Sequence, residues 1–407
     1  MDRVIADLHI HSKYARACSK QISLDNLEKY AKIKGLGLLG TGDFQHQLWR
    51  KELDSLDERN GIVYTKSGFP LIWQTEISLM YSQDGRGRRI HHVILAPSRE
   101  VVSQITEFLG TKGRLDYDGR PIFGFSSIEL VEAMSSISED IEIIPAHCMT
   151  PWFGIFGSKS GFDSLKECFK EKTDKIHAVE SGMSADPEML WRFKFLEGKS
   201  IISFSDMHSF WPWRIGREST IFKLEEGKEL SYRGILSQIR QGSFLATIET
   251  EPAYGRYHWD GHRNCDFSCS PEETSKLGGI CPKCKQKLTI GVDYRVRELA
   301  ENPVGFMPKN AKPFYKLIPL HELISFSIKS GIASNKTWTV YNNLIEKYGN
   351  EFKVLLEVDK QELIKDGFNE KLAKLIIDNR IANLKIKPGY DGEYGQILDK
   401  EVQKSLF

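Results

Sequence analysis

Short apolar runs that each end on a carboxylate or an imidazole recur through the first half of the chain, and they constrain its fold more than any other feature. The first run leads into Asp7-Leu8-His9-Ile10-His11-Ser12. Side chains alternate faces along a strand, so this spacing predicts His9 and His11 on one face, with Leu8 and Ile10 packed behind them. Two imidazoles on one face, flanked by Asp7, make half of a metal site. The pattern repeats at 36–39, which delivers Gly40-Thr41-Gly42-Asp43, and at 69–76, which ends on Glu76. It continues at 89–96, with His91-His92 inside, at 141–147, ending on His147, at 176–180, ending on Glu180, and at 201–208, carrying Asp206 and His208. Taken singly, each polar residue reads as a cap or a solvated strand end. Taken in one register, they imply a shared rim.

Helical periodicity fills several of the gaps. Leu24 to Lys34 carries an amphipathic pattern opened by Ser23 and closed by Gly35, and 126–134 and 187–196 are helix-like. Strand and helix therefore alternate as in a parallel α/β fold. In a closed barrel of that kind the chemistry collects at the carboxyl ends of the strands, where the loops converge. At 407 residues the chain is too long for one ordinary domain. Its text divides into a barrel over 1–250, a Cys- and His-rich segment over 251–297 and a helical segment over 298–407. Helices are expected at 320–328, 338–348, 353–358, 360–365 and 370–382, and the run from Pro388 to Gly395 is too glycine-rich for helix.

A formal net charge of +1 excludes a global basic surplus, so any nucleic-acid partner must be met by local patches. The chain shows neither a signal-peptide layout nor an apolar run long enough to span a bilayer. The expectation is a cytoplasmic protein without a membrane partner.

Of seven cysteines, four lie between Cys265 and Cys284, which reads as metal binding in a reducing compartment. Cys281-x2-Cys284 is one zinc knuckle. Its partner is either His262-x2-Cys265 or Cys265-x3-Cys269. A structural Zn²⁺ held by His262, Cys265, Cys281 and Cys284 is favoured because both halves then share the two-residue spacing, with Cys269 as the alternative ligand. Arg256, Arg263, Lys283, Lys285 and Lys287 give this zinc ribbon a cationic rim suited to phosphate.

As a set, the rim residues resemble the polymerase and histidinol phosphatase (PHP) superfamily. Its signature is a His-x-His on the first strand, a Thr-Asp-His after the second, a Glu, a strand His, a further His and a closing Asp-x-His. These match His9 and His11, Thr41-Gly42-Asp43, Glu76, His91 or His92, His147, and Asp206 with His208. The resemblance covers roughly the first 215 to 250 residues and implies a distorted seven-stranded (β/α) barrel. It also implies that His9, His11, Glu76 and Asp206 hold one ion, with Glu76 bridging to a second held by His91 and His147. His91 is preferred to His92, although adjacent residues point oppositely and either remains open. Asp43 stands where the family has a histidine ligand and would offer oxygen instead of nitrogen. The family's ligand eight or nine residues after the first His falls on Ala17 and Cys18, so a third metal position would draw on Asp43, His208 and Cys18. Two ions about 3.5–4 Å apart lower the pKa of a bridging water and stabilise both oxygens of a phosphoester displacement. Nitrogen-rich ligands suit Zn²⁺, and mixed sets also accept Mn²⁺, with Mg²⁺ a further candidate.

A PHP barrel, a zinc ribbon and a helical tail ending in Pro388-Gly389-Tyr390-Asp391-Gly392-Glu393-Tyr394-Gly395 resemble, across essentially the whole chain, PHP endonucleases of DNA repair. The resemblance implies nicking on the 5′ side of a deaminated base (uracil, hypoxanthine or xanthine) or an abasic site, and a tail similar to helix-hairpin-helix DNA-binding segments. Asp206 and Glu76 would be the catalytic carboxylates, and Glu180 would orient a water or a substrate group. Such an enzyme needs the damaged base out of the stack, where poor pairing lowers the cost of flipping. Trp152 and Phe153, just after His147, and Trp211 and Trp213, just after His208, are candidates to stack on the base or fill its place. Arg88, Arg89, Arg214 and Arg217 are candidate phosphate contacts. The partners expected are double-stranded DNA carrying such lesions, with a sliding clamp as a further candidate, for a nucleoid-associated monomer. Two rivals are a small-molecule phosphatase of the histidinol phosphatase kind, which needs neither ribbon nor tail, and an inactive DNA-binding repair scaffold.

Overall fold

The computed structural model describes residues 2–225 and 227–398; residues 399–407 of the expected tail fall outside the described residues. The strand Arg3–Asp7 pairs parallel with Leu38–Gly40, which pairs parallel with Pro70–Gln83. The helix Leu24–Lys34 makes the first crossover. Ser23 caps it by accepting from the Asn26 N–H, and Gly35 ends it at φ 101°, a left-handed backbone that favours glycine.

The expected parallel alternation then breaks. Pro70–Gln83 turns back directly into Arg86–Ala96 as an antiparallel hairpin, and Arg86–Ala96 pairs antiparallel again with Glu142–Pro145. The reason is local: Asp84 and Gly85 sit at φ 52° and 73°, and two consecutive left-handed residues form the turn whose twist matches a β-hairpin. Ala178–Glu180 and Ser200–Ile202 pair parallel. The ring closes through backbone contacts past the strand ends, with Cys148 N donating to Glu180 O, Ser181 N to Ile202 O, and Ile10 bridging Met207. The result is an α/β barrel of seven strands distorted by one reversed member. Outside it, Ser219–Lys223, Ala246–Glu249 and Phe314–Lys316 extend the sheet from the first strand.

Strand alternation sorts the core into two layers. Val4, Ala6, Ile72, Val93, Leu95, Ile144, Ala178 and Ile202 fill the barrel, plugged by Ile235 and Ile239 of the helix Tyr232–Gln241. Ile5, Leu39, Leu71, Ile94, Ile143 and Val179 face the surrounding helices. Two sequence expectations shift. The first strand stops at Asp7, so His9 and His11 stand beyond it, and Leu8 and Ile10 enter different layers. The helix expected over 187–196 is only Pro187–Leu190 followed by a single turn, Lys194–Leu196.

The tail helices Leu320–Ile328, Asn335–Tyr348, Glu351–Leu356, Lys360–Lys365 and Glu370–Arg380 pack onto the barrel. The joint is a buried ion pair: Lys34 Nζ lies 2.6 Å from Glu351 Oε1 and 2.9 Å from Pro212 O. Glu351 also accepts from the Leu320 N–H and the Tyr341 hydroxyl. Loop 388–395 clamps the segment 253–259, with Gly389 N donating to Ala253 O, Trp259 N to Gly389 O and Gly395 N to Tyr254 O. Gly389 and Gly395 lie so close to the backbone there that no side chain fits. Among the described residues, no helix is long and apolar enough to cross a membrane.

Because removing one partner strands a buried charge, Lys34→Ala should lower stability by about 3–5 kcal/mol, read from chemical denaturation; a loss under about 1 kcal/mol would show that the pair contributes no more than a surface contact. A second expectation concerns Glu249, whose carboxyl is pushed up to about 7 by burial, against the hydroxyls of Thr247 and Ser181, with Glu218 raised beside it. The folded form keeps its proton after the unfolded form has lost it, so stability is fullest below about pH 4.5 and declines as pH rises to about 7. Glu249→Gln should flatten that decline in melting temperature; identical slopes in both proteins would contradict it.

Candidate metal centre

Strands and the loops after them converge on one buried carboxylate; the run expected to end at Glu76 continues to Gln83, so Glu76, like His91 on Arg86–Ala96, sits within its strand. Glu76 lies on Pro70–Gln83 with its side chain turned into the barrel mouth, fully enclosed. Its two oxygens serve two groups of donors. Oε1 is 2.9 Å from His91 Nδ1 and 3.2 Å from His147 Nε2. Oε2 is 3.2 Å from His11 Nε2 and 3.6 Å from His9 Nε2. Asp206 Oδ1 completes the second group at 3.1 Å from His11 Nε2 and 3.6 Å from His9 Nε2. Within each group, His9–His11–Glu76–Asp206 and Glu76–His91–His147, all ligand atoms lie within 4.8 Å of one another.

A layer behind these side chains fixes their orientation. Both Glu180 oxygens face His9 Nδ1, at 2.9 and 3.1 Å, and Oε2 also accepts the His147 N–H. Asp43 Oδ1 holds His11 Nδ1 at 3.0 Å, while Oδ2 accepts from the Ser12 N–H and hydroxyl. Carboxylates that grip the outer nitrogen of an imidazole fix its ring and leave the inner nitrogen to a metal. Asp7 accepts the Ser205 and Gly216 N–H groups and so ties the first strand to the Asp206 loop. Asp43, His147 and Asp206 all adopt left-handed backbone, at φ 39°, 31° and 46°. Such conformations persist in non-glycine residues where surrounding contacts over-determine them, as at functional sites.

The electrostatics are those of a cation trap. Burial alone would hold His9 and His11 neutral, but the carboxylates of Glu180, Glu76 and Asp206 around His9, and of Asp43 and Asp206 around His11, raise both well above the ordinary imidazole range. Burial likewise opposes ionisation of Glu76 and Asp206, yet His91 and Arg120 hold Glu76 far below its usual value, and His208 and His11 do so for Asp206. Burial drives His91 down to about 4, against the pull of the Glu76 carboxylate.

Several sequence candidates take other places. His92 points out of the barrel, with Nε2 2.9 Å from Ser127 Oγ. Asp43 stands behind His11 and not in either donor group, because both its oxygens are engaged there. His208 lies outside both groups, its Nδ1 2.9 Å from the Asp206 carbonyl and its ring 5.0 Å from that of His11. Glu180 is enclosed, with its oxygens on His9 Nδ1 and the His147 N–H. Cys18 is buried and unpaired. Trp211 and Trp213 stack on each other and face Trp338, with His321 4.3 Å from Trp338, sealing barrel to tail instead of standing free for a base. Arg88 is buried over Phe162 and paired with Glu167. Arg217 holds the Ser205 carbonyl, and Arg214 lies over Tyr394 near Glu322. Phe153, by contrast, stacks on His91 at 4.3 Å, Trp152 is half-buried against Tyr257, and Arg89 is exposed. Arg120, absent from the sequence candidates, lies 3.0 Å from Glu76 Oε2; only the turn signal Asp118-Gly119 before Pro121 marked its loop.

In the Cys-rich segment, Asp260–His262 pairs with Phe267–Cys269, and His262, Cys265, Cys281 and Cys284 converge with their ligand atoms mutually within 4.8 Å. His262 Nδ1 is 3.1 Å from Cys265 Sγ and 3.3 Å from Cys284 Sγ. Against the desolvation that would raise it, the backbone N–H groups of Cys284 and Lys283 draw the Cys281 thiol down to about 7, which favours the thiolate. Cys269 turns away to Thr274. If these four hold zinc, Cys281→Ser should remove one equivalent of metal per chain in elemental analysis and Cys269→Ser none; the reverse result would reassign the fourth ligand.

Comparison with known proteins places this geometry. Residues 319–382 match the family described as the MJ0043 C-terminal domain. The uncharacterized protein MJ0043 of Methanocaldococcus jannaschii is 36% identical over 256 residues, 62% of this chain, and the chain spans only 32% of that relative's length. The uncharacterized protein YqxK of Bacillus subtilis is 27% identical over 98% of this chain and 100% of its own. The lesion-specific endonuclease PfuEndoQ from Pyrococcus furiosus superposes with a TM-score of 0.87 at 30% identity, over 99% of this chain and 97% of that one. A structure of endonuclease Q with a 27-mer duplex bearing an abasic lesion at the active site gives the same TM-score and identity over 98% of its chain. Barrel, Cys-rich module and helical tail all fall within that superposition, and the chain belongs to the endonuclease Q family of PHP-fold proteins.

Proposed function

We propose that the chain is a metal-dependent DNA endonuclease of repair that nicks the strand 5′ of deaminated bases and abasic sites. One observation carries the reading: two groups of metal-type donors share Glu76 at the mouth of a barrel whose whole-chain relatives include an endonuclease solved on lesion-bearing duplex. The donor set fits divalent cations on its own terms. His9 Nε2 is buried without a hydrogen-bond partner while Nδ1 is held by Glu180, so Nε2 is turned into the group with His11, Glu76 and Asp206, where an ion would take the place of its proton. The mixed nitrogen and oxygen donors suit Zn²⁺ or Mn²⁺, with Mg²⁺ as an alternative. Bound ions at such a pair lower the pKa of a water and offset charge on the phosphoester oxygens.

The chain's own residues then divide the work. Glu76, shared by both donor groups, would hold both ions, Asp206, partly open to solvent, faces the incoming phosphate, and Glu180 and Asp43 position His9 and His11. Phe153 and Trp152 flank the mouth and meet an extruded base or the gap it leaves, and Arg89 reaches the backbone nearby. The cationic Cys-rich module and the tail lengthen the surface that a duplex can follow, which a small phosphoester would not require.

The test is a nicking assay on labelled duplexes containing uracil, inosine, an abasic site or no lesion, with Mg²⁺, Mn²⁺ or Zn²⁺, beside p-nitrophenyl phosphate. Lesion-dependent nicks on the 5′ side are expected. Phosphate release without nicking would point to a small-molecule phosphatase, and binding without cleavage to a repair scaffold. Asp206→Asn should retain duplex binding and lose nicking; an undiminished rate in that variant would refute the role given to Asp206.

A further inference from the structure

Arg120 is a cation that the donor groups do not need as a ligand, yet the chain places it with care. Its guanidinium donates to Glu76 Oε2 at 3.0 Å, and the side chain keeps about a quarter of its surface, 24%, open to solvent. The loop beneath it is locked. Asp118 Oδ1 accepts the Arg16 and Arg120 N–H groups, Gln45 Nε2 donates to Gly119 O, and Gly119 N donates to Tyr14 O. Gly119 is pressed against Asp43 Oδ2 and Ala15 N so closely that a side chain there would collide with both. The loop therefore rests on the same Asp43 that holds His11, and Arg120 is registered to the donor groups.

Resting on the nuclease reading above, we infer that Arg120 is a catalytic residue that grips the non-bridging oxygens of the scissile phosphate. A guanidinium presents five donors in a planar fork that matches phosphate. Here Nη1 is engaged by Glu76, and about a quarter of the side chain, 24%, is left open to solvent. His9, His11, Glu76, Asp206, His91 and His147 would hold two dications, and the surplus of positive charge on these two carboxylates would weaken the hold of Glu76 on Arg120. An anionic phosphodiester at the mouth is the partner that then satisfies the guanidinium. The other carboxylates that act on it, Asp206 and Asp118, are engaged elsewhere, Asp206 Oδ1 at His11 Nε2 and Asp118 Oδ1 by the loop backbone.

The experiment is a double-mutant cycle on the full chain. Wild type and R120Q are measured against abasic-site duplexes whose scissile phosphate is either native or an uncharged methylphosphonate, by equilibrium anisotropy in Ca²⁺, with single-turnover nicking of the native duplex in Mn²⁺ alongside. Metal content is determined for each protein. R120Q is expected to nick about 10²–10³-fold more slowly at unchanged metal content. Removing the phosphate charge should weaken wild-type binding about tenfold more than it weakens R120Q binding, the order of a charge-assisted hydrogen bond. Equal weakening in both proteins, or an unchanged nicking rate, overturns the inference while leaving the nuclease reading intact. If R120Q loses metal or fails to fold, R120K, which keeps a charge beside Glu76, is put through the same cycle, and coupling absent there assigns Arg120 to the cage alone and overturns the inference. A wild type that nicks no lesion duplex removes both readings together.

Discussion

A carboxylate with no exposed surface is the constraint around which this protein is arranged. Glu76 cannot remain ionised in the barrel mouth without cations or donors on both its oxygens, because burying an unpaired charge is far more costly than folding stability allows. Four imidazoles and one guanidinium meet that demand, and they come from four separate stretches of chain. The strands must therefore end in one register, and the loops after them must turn inward. Barrel closure and site assembly are one event.

Holding those groups in place takes a second layer with its own polar demands. Glu180 and Asp43 each use both oxygens on histidine nitrogens and backbone or hydroxyl donors. Gln74 Oε1 accepts both the Ile10 and the Gly42 N–H, binding the first two rim loops to the third strand. Left-handed backbone at Asp43, His147 and Asp206 is stable because such contacts surround each residue. The same layer explains why these carboxylates do not reach the mouth: their hydrogen-bonding capacity is spent inside.

The aromatic residues divide between two tasks. Those after Asp206 join the barrel to the tail, where Trp211, Trp213, Trp338 and His321 interlock beside the buried Lys34–Glu351 pair. Those after His147 remain at the mouth, with Phe153 flat on His91. The tail is thus fixed to the loop that carries Asp206, so a duplex gripped by the tail and the rim would meet one rigid surface. Loop 388–395 adds to this by clamping the segment that leads into the Cys-rich module.

Much of this was readable in the residues themselves. Strand periodicity, the polar residue closing each run, the capped helix Leu24–Lys34, and the paired two-residue spacings of His262, Cys265, Cys281 and Cys284 are local patterns, and local backbone physics produces them. The Asp84-Gly85 hairpin was equally local, though a reading tuned to parallel crossovers passes over it. Other features have no local signature. Adjacent histidines alternate faces, but only the pairing of Arg86–Ala96 with Pro70–Gln83 decides that His91 enters the barrel and His92 leaves it. A carboxylate at a strand end reads the same whether it faces a metal or the back of an imidazole, and a tryptophan after a ligand reads the same whether it meets DNA or another helix. Those outcomes depend on which distant segment arrives, as do the seating of Arg120 on Glu76 and of Trp213 on Trp338. The sequence by itself determined the elements and the chemistry available at their ends; the tertiary structure alone decided which groups face one another, because contacts between residues far apart in the chain are set by closure of the whole barrel.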